Sequence, residues 1–224
     1  MKDEVAIIIP AYNPDQKLKV LIQSLKKYNY TNIIVINDGS KNRSIFDKIK
    51  DEAIILQHNN NLGKGKALKN GITYVLQNLQ NVKRIITVDA DGQHKVEDIN
   101  KVYQMSQLKE NSFILGSRNF KDKIVPFRSK IGNKIMSYVL YKKYNKKIKD
   151  TQTGLRAISK FYFENLIQIP GDRFEYEMNV ILYGIKNDIS IIEVPIESIY
   201  IEKNKSSHYR IIRDSWKINQ SLKG

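Results

Sequence analysis

The string Asp89-Ala90-Asp91-Gly92-Gln93-His94 places two carboxylates one residue apart, directly after the apolar run 85–88. A chain that turns at the end of a strand lets such carboxylates converge, and hard oxygen donors of this kind suit Mg²⁺ or Mn²⁺. An ion held there would bridge a nucleotide pyrophosphate and stabilise charge on a departing group. Gln93 or His94 would complete its shell. Alone, an Asp-x-Asp pair is equally well explained by a surface turn. Two further segments share its setting. Asn37-Asp38-Gly39-Ser40 ends the apolar run 33–36 and reads by itself as a β-turn. Asn61-Leu62-Gly63-Lys64-Gly65-Lys66-Ala67-Leu68 opens a helical stretch with glycines and lysines. The free amides of a helix start hold phosphate, although the spacing of a P-loop is absent.

The elements that must position these residues follow from periodicity. Residues 5–9 are a continuous apolar run ended by Pro10, which predicts a buried strand. Leu18, Leu21, Ile22 and Leu25 predict a helix over 16–28. Strands follow at 33–36 and 53–56, with Ser44 placed to cap a short helix over 45–51. The stripe Ala67, Leu68, Ile72, Val75, Leu76 and Leu79 predicts a helix over 64–79. A strand at 85–88, a helix at 96–108 and a strand at 113–115 come next. This alternation predicts an α/β fold with a mostly parallel central sheet flanked by helices. Ligands in such sheets sit beyond the carboxyl ends of the strands, where all three segments fall.

After residue 117 the rhythm changes. A basic amphipathic helix is expected over 129–144, a strand over 154–158 and a helix over 173–186. Two β-rich runs, 189–194 and 196–201, flank Pro195, and a basic helix is expected over 209–222. One domain over 1–224 is predicted, with a nucleotide-binding half to about residue 117 and an acceptor half from 118.

Composition narrows the chemistry. The chain has no cysteine, which excludes disulfides and thiolate metal sites. Met1-Lys2-Asp3-Glu4 runs straight into a strand without a signal peptide, and no apolar run approaches the roughly 20 residues of a spanning helix. A cytoplasmic, peripherally membrane-associated protein is expected. The net charge of +15 asks for an anionic partner. Eleven lysines and arginines fall within 118–149, opposed by Asp122 alone.

Together, Ile9-Pro10-Ala11-Tyr12-Asn13, Asn37-Asp38-Gly39-Ser40, Asn61-Leu62-Gly63-Lys64-Gly65, Asp89-Ala90-Asp91-Gly92-Gln93-His94, Gly116-Ser117-Arg118 and Asp150-Thr151-Gln152-Thr153-Gly154-Leu155-Arg156 resemble the motifs of family 2 glycosyltransferases. Within that family the chain is most similar to the dolichyl-phosphate mannose and polyprenyl-phosphate glucose synthase group. The resemblance implies a GT-A fold, which is Rossmann-like, and an inverting transfer of a hexose from a UDP- or GDP-sugar to polyprenyl phosphate. It implies that Pro10, Tyr12, Asn13, Asp38, Gly39, Lys64, Asp89 and Ala90 bind the nucleotide-sugar, with Lys64 near the diphosphate. Asp89, Asp91 and Gln93 would hold the Mg²⁺ or Mn²⁺ ion. Arg118 and Arg128 would bind the acceptor phosphate, joined by His208 and Arg210 from a loop over the site. Pro14 and Asn37 depart from the acidic residues many relatives carry there, which leaves the base open between guanine and uracil.

The basic segment suits such an acceptor. Ile131, Ile135, Tyr138, Val139, Tyr141 and Tyr144 lie among lysines, a composition that fits a helix in the interface of an anionic membrane. No nucleic-acid reader motif is present, and without a spanning helix there is room for a membrane-embedded partner protein. A phosphomonoester with a second pKa near ~6 is already anionic and needs no strong base. A hydroxyl acceptor on a glycan or wall polymer would need one, with Asp150, Glu175 and Glu177 as candidates. Glu175 and Glu177 point about 200° apart on one helix, so both cannot serve one site, and one of them is expected to pair with Arg173 or Arg156. A third reading, a basic membrane- or nucleic-acid-binding module with a decayed site, gives no reason for both aspartates to persist.

Overall fold

The computed structural model describes residues 2–120 and 127–197. The expected helix over 209–222, most of the run 196–201, and the candidates His208 and Arg210 lie outside the described residues. The strands are β1 (Lys2–Ala11), β2 (Tyr30–Asn37), β3 (Ile54–Gln57), β4 (Arg84–Thr87), β5 (Phe113–Arg118), β6 (Arg156–Ser159) and β7 (Ile191–Ile196). The helices are α1 (Lys17–Lys27), α2 (Ser44–Asp47), α3 (Lys64–Asn78), α4 (Val96–Leu108), α5 (Phe127–Tyr144), α6 (Phe163–Gln168) and α7 (Glu175–Lys186).

The strands form one sheet in the order β3-β2-β1-β4-β6-β5-β7. Strands β1, β2 and β4 are nearly continuous Ile and Val runs because helices cover both faces. The pleat divides each run. Val5, Ile7, Ile9, Ile33 and Val35 face the core under α1 and α4, with Leu18, Leu21, Ile22 and Leu25. Ala6, Ile8, Ile34 and Ile36 face the opposite core under α3, α6 and α7, with Ala67, Leu68, Ile72 and Val75. Gly71 allows α3 to lie close: a Cβ there would stand 2.7 Å from Ile8 Cγ2. None of the helices among the described residues is long and apolar enough to cross a membrane.

Strand β6 is antiparallel to both β4 and β5, whereas every other pairing is parallel. It therefore enters from the edge at which β1, β2, β4 and β5 end, and the loop before it, 150–155, lies among their carboxyl ends. Sequence periodicity does not reveal this reversal, since the direction of a strand leaves no trace in its own residues.

Three expectations are corrected. Ser44 does not cap α2; it is the first helical residue, and its amide donates to Asn42 Oδ1 at 2.9 Å. The helix ends at Asp47, well short of residue 51. Pro195 does not separate two runs but lies within β7, at the sheet edge where a missing N–H breaks no ladder. The turn Lys160–Tyr162 and α6 were not anticipated; their buried Tyr162, Phe163 and Leu166 are too few for a clear helical stripe.

Candidate active site

The site assembles where β4 ends. The Val88 amide donates to Ile8 O at 3.0 Å, and the chain then turns at Gly92, whose φ of 74° is costly for other residues. Asp91 Oδ1 caps that turn by accepting from the Gln93 amide at 3.0 Å. The Asp89 carboxylate lies flat against the backbone of Gly154; a Cβ at that glycine would stand 2.1 Å from Asp89 Oδ2. Two bonds set the loop there: Thr87 Oγ1 donates to Gly154 O at 2.7 Å, and the Gly116 amide donates to Leu155 O at 2.9 Å.

Lys64, the first residue of α3, bridges two carboxylates. Its Nζ is 2.7 Å from Asp89 Oδ1 and 2.8 Å from Glu177 Oε2 in the first turn of α7. His94 Nε2 stands 3.6 Å from Asp89 Oδ2, and neither buried ring nitrogen has a hydrogen-bond partner among the described residues. Arg156 is buried beside them. Its Nε donates to Thr153 O at 2.9 Å and its Nη1 to Glu177 O, while its buried Nη2 has no partner among the described residues.

These charges shift one another. Burial works to raise the Asp89 pKa, but the Lys64 ammonium and His94 outweigh it and hold the group far below the ordinary carboxylate range. Burial and then the Asp89 charge push Asp91 upward. Burial works against the Lys64 charge, yet Asp89 and Glu177 keep its pKa above the usual lysine value.

At the end of β5, Arg118 forms a forked pair with Asp150. Nε donates to Oδ2 at 2.6 Å, Nη2 donates to Oδ1 at 2.9 Å, and the Arg118 amide adds a third bond to Oδ2 at 3.1 Å. Asp150 is fully buried, and its own amide donates to Glu193 Oε1 at 2.9 Å. Helix α5 is tied to the same loop: Asn133 Oδ1 accepts from the Thr151 amide at 2.8 Å and from its hydroxyl at 3.0 Å. Arg128 falls in the first turn of α5. The apolar positions of α5 occupy two opposite faces rather than one. Met136, Val139, Leu140 and Tyr144 pack inward, while Ile131, Ile135, Tyr138 and Tyr141 are exposed.

At the end of β1, Pro10 and Tyr12 are half-buried. Asn13 has a φ of 49°; its amide donates to Ser40 Oγ at 2.8 Å, and its Oδ1 accepts from the Lys41 amide at 3.0 Å. The buried Asp38 carboxylate accepts from the amides of Leu62 and Gly63 at 2.8 and 2.9 Å and is 2.8 Å from His58 Nδ1. Gly39 packs on the backbone of Asn60. The segment 37–40 is thus a junction joining three loops, not a plain turn. Some of the amides around the start of α3 are taken by the protein itself. Those of Leu62 and Gly63 go to Asp38, and that of Lys66 goes to Asp172 O at 3.0 Å. Gly63 and Gly65 serve close packing, since a Cβ at either would stand within 2.5 Å of Asp172 O or Tyr176 Cβ.

With this arrangement in view, comparison with known proteins is decisive at the family level. Residues 6–167 match Glycosyl transferase family 2. The chain belongs to that family. This glycosyltransferase is 34% identical over 215 residues to an uncharacterized protein of Methanocaldococcus jannaschii, covering 94% of this chain and 88% of the other. It is 33% identical over 221 residues to the UDP-N-acetylglucosamine–dolichyl-phosphate N-acetylglucosaminyltransferase of Methanococcus voltae, covering 88% of this chain and 86% of the relative. Its fold matches that of glucosyl-3-phosphoglycerate synthase from Mycobacterium tuberculosis in complex with UDP, at a TM-score of 0.71 and 15% identity over 97% of this chain and 78% of the other. The same synthase with Mn²⁺, UDP and phosphoglyceric acid superposes at a TM-score of 0.70, with 14% identity over 97% of this chain and 76% of the other. The GT-A fold that the motifs imply is the fold of this glycosyltransferase.

Several residues of the glycosyltransferase site escape sequence reasoning. Glu177 was a candidate base, and its partnership with Lys64 joins residues 113 positions apart in sequence with no local signal. Arg156 meets the Glu177 carbonyl rather than a glutamate side chain. His58, in a polar stretch, and Glu193, inside the apolar run of β7, orient Asp38 and the Asp150 loop without any local signal. The donor set fits a divalent ion of the Mg²⁺ class. Such ions are commonly held by one or two carboxylates together with substrate phosphates. Asp89 and Asp91 supply two, and Asp91 carries no ion pair among the described residues. Among the described residues no group of three or more His, Asp or Glu converges as a complete cage.

Proposed function

We propose that this glycosyltransferase moves a hexose or N-acetylhexosamine from a UDP-sugar to the phosphate of a polyprenyl lipid, with inversion at the anomeric carbon. One observation carries the reading. The loop 150–155 grips the Arg118 guanidinium through Asp150 at one end and supports the Asp89 carboxylate on Gly154 at the other. If Arg118 meets an acceptor phosphate and Asp89 the donor, one short segment would position both. A UDP-linked donor and a dolichyl-phosphate acceptor are named for the Methanococcus voltae relative, which favours UDP over GDP.

Asp89 and Asp91 would hold Mg²⁺ or Mn²⁺, which would supply charge neutralisation for a departing diphosphate. Lys64, paired with Asp89 at the start of α3, would add a positive charge for that leaving group. Arg118, oriented by Asp150, aims the acceptor phosphate, which is already anionic at neutral pH and attacks without a base. Two of the three carboxylates that would serve as a base for a hydroxyl acceptor are committed to cations, Asp150 to Arg118 and Glu177 to Lys64, and the third, Glu175, is buried. The outward face of α5, with Ile131, Ile135, Tyr138 and Tyr141 among lysines, would rest on the anionic cytoplasmic leaflet and bring Arg118 to the lipid headgroups.

The test is transfer of radiolabel from UDP-N-acetylglucosamine, UDP-glucose and GDP-mannose into undecaprenyl or dolichyl phosphate, with and without Mg²⁺ or Mn²⁺. Metal-dependent label in the lipid, lost in Asp91→Ala and Arg118→Ala, is expected. Donor hydrolysis with no labelled lipid would move the acceptor to another class.

A further inference from the structure

Lys64 and any divalent ion at this site need the same carboxylate. Asp89 Oδ1 is held by Lys64 Nζ at 2.7 Å, and Asp89 Oδ2 lies on the Gly154 backbone with His94 Nε2 at 3.6 Å. Neither oxygen is free of a close neighbour. Asp91, by contrast, has no ion-pair partner among the described residues; its one hydrogen bond is from the Gln93 amide. The pair is therefore asymmetric, with one carboxylate already neutralised from within the protein and the other not. Lys64 also has a second anchor, Glu177 Oε2 at 2.8 Å, and sits 5.9 Å from the centre of the Phe174 ring. It can leave Asp89 without losing every partner. The Lys64 and Asp89 side chains are 15% and 29% exposed, so the contact between them is open to an incoming ligand.

We infer that Lys64 and the divalent cation compete for Asp89, so that the site takes the cation tightly only when a nucleotide diphosphate draws Lys64 away. An ammonium on Asp89 repels a second cation at that carboxylate. A diphosphate offers Lys64 a stronger anionic partner and offers the cation further oxygens. Cation and nucleotide then each raise the affinity for the other by the same factor, as linkage requires. In the free enzyme Lys64 is a counter-ion that keeps Asp89 ionised and correctly placed. In the loaded enzyme it becomes a diphosphate ligand. This inference rests on the donor and cation reading proposed above.

The experiment is titration of the intact protein with Mn²⁺, following free Mn²⁺ by electron paramagnetic resonance, with and without UDP. Wild type is expected to bind Mn²⁺ weakly alone and more tightly with UDP. In Lys64→Met and Lys64→Gln, checked for folding by circular dichroism, nucleotide-free Mn²⁺ affinity is expected to rise on the order of tenfold, and the gain from UDP to shrink by a similar factor. Unchanged or weaker nucleotide-free binding in these variants overturns the inference. A measurement on wild type stands apart from variant folding. Labelling of Lys64 by an amine-reactive reagent, read by mass spectrometry, is expected to increase when Mn²⁺ saturates the UDP-free protein, and constant labelling overturns the competition. Mn²⁺ bound in no state, UDP included, overturns the cation reading itself along with it.

Discussion

Replacing Gly154 by alanine tests how tightly the Asp89 carboxylate is positioned. The added Cβ would stand 2.1 Å from Asp89 Oδ2 and 2.5 Å from Cγ, whereas real Cβ contacts do not fall below 3.0 Å. The carboxylate must retreat by about 1 Å. That retreat strains its 2.7 Å contact with Lys64. A misplacement of about 1 Å in a catalytic group costs on the order of 10²-fold in rate, while overpacking costs about 1–3 kcal/mol of stability. Gly154→Ala should therefore lose about 10²-fold in kcat/KM for donor turnover and stay folded. Steady-state transfer and urea unfolding would measure the two effects. The Asp89→Ala background supplies the control, because it removes the atoms the new methyl meets. There Gly154→Ala should cost almost no stability, a non-additivity expected only of residues in contact. Equal destabilisation in both backgrounds, or full activity of the single variant, would refute the reasoning.

Three further outcomes are expected. Arg118→Ala leaves the fully buried Asp150 without its cation, and urea unfolding should show a loss of about 3–5 kcal/mol; a loss below about 1 kcal/mol would mean that water reaches the pair. Asp91→Asn should raise the melting temperature of the metal-free protein at pH 7. The folded state raises the Asp91 pKa, chiefly by burial and then by Asp89, so ionisation of Asp91 opposes folding, and that penalty is absent at low pH, where the group is protonated in both states. The gain should shrink as pH falls from above the ordinary aspartate range down to it and stay small below, and thermal melts at several pH values would show it. Ile135→Asp with Tyr138→Glu should lower sedimentation with anionic vesicles, leave the far-ultraviolet spectrum unchanged, and make the remaining binding more sensitive to salt.

What the chain reveals by itself is what contiguous residues decide. The Ile and Val runs before Pro10, Asn37 and Asp89 mark strands buried on both faces, and the stripe from Ala67 to Val75 marks a helix, because burial imprints a period on neighbouring positions. The same locality identified Asp89 and Asp91 as a pair and put three motifs beyond strand ends. What those residues touch was decided elsewhere. Lys64 reads as one of two lysines at a helix start; only the packing of α7 against α3 gives it Glu177. Asp38 reads as a turn residue, and only the return of the chain through β3 brings His58 and the Leu62 and Gly63 amides to it. Gly154 looks like any loop glycine until the antiparallel β6 lays it under Asp89. The apolar residues of α5 read as one stripe, yet the core takes Met136 and Leu140 and leaves Ile135 and Tyr138 outside. Residue type and local period are written into each segment, but an ion pair or a steric fit depends on which distant segment arrives, and that is set by how the sheet closes.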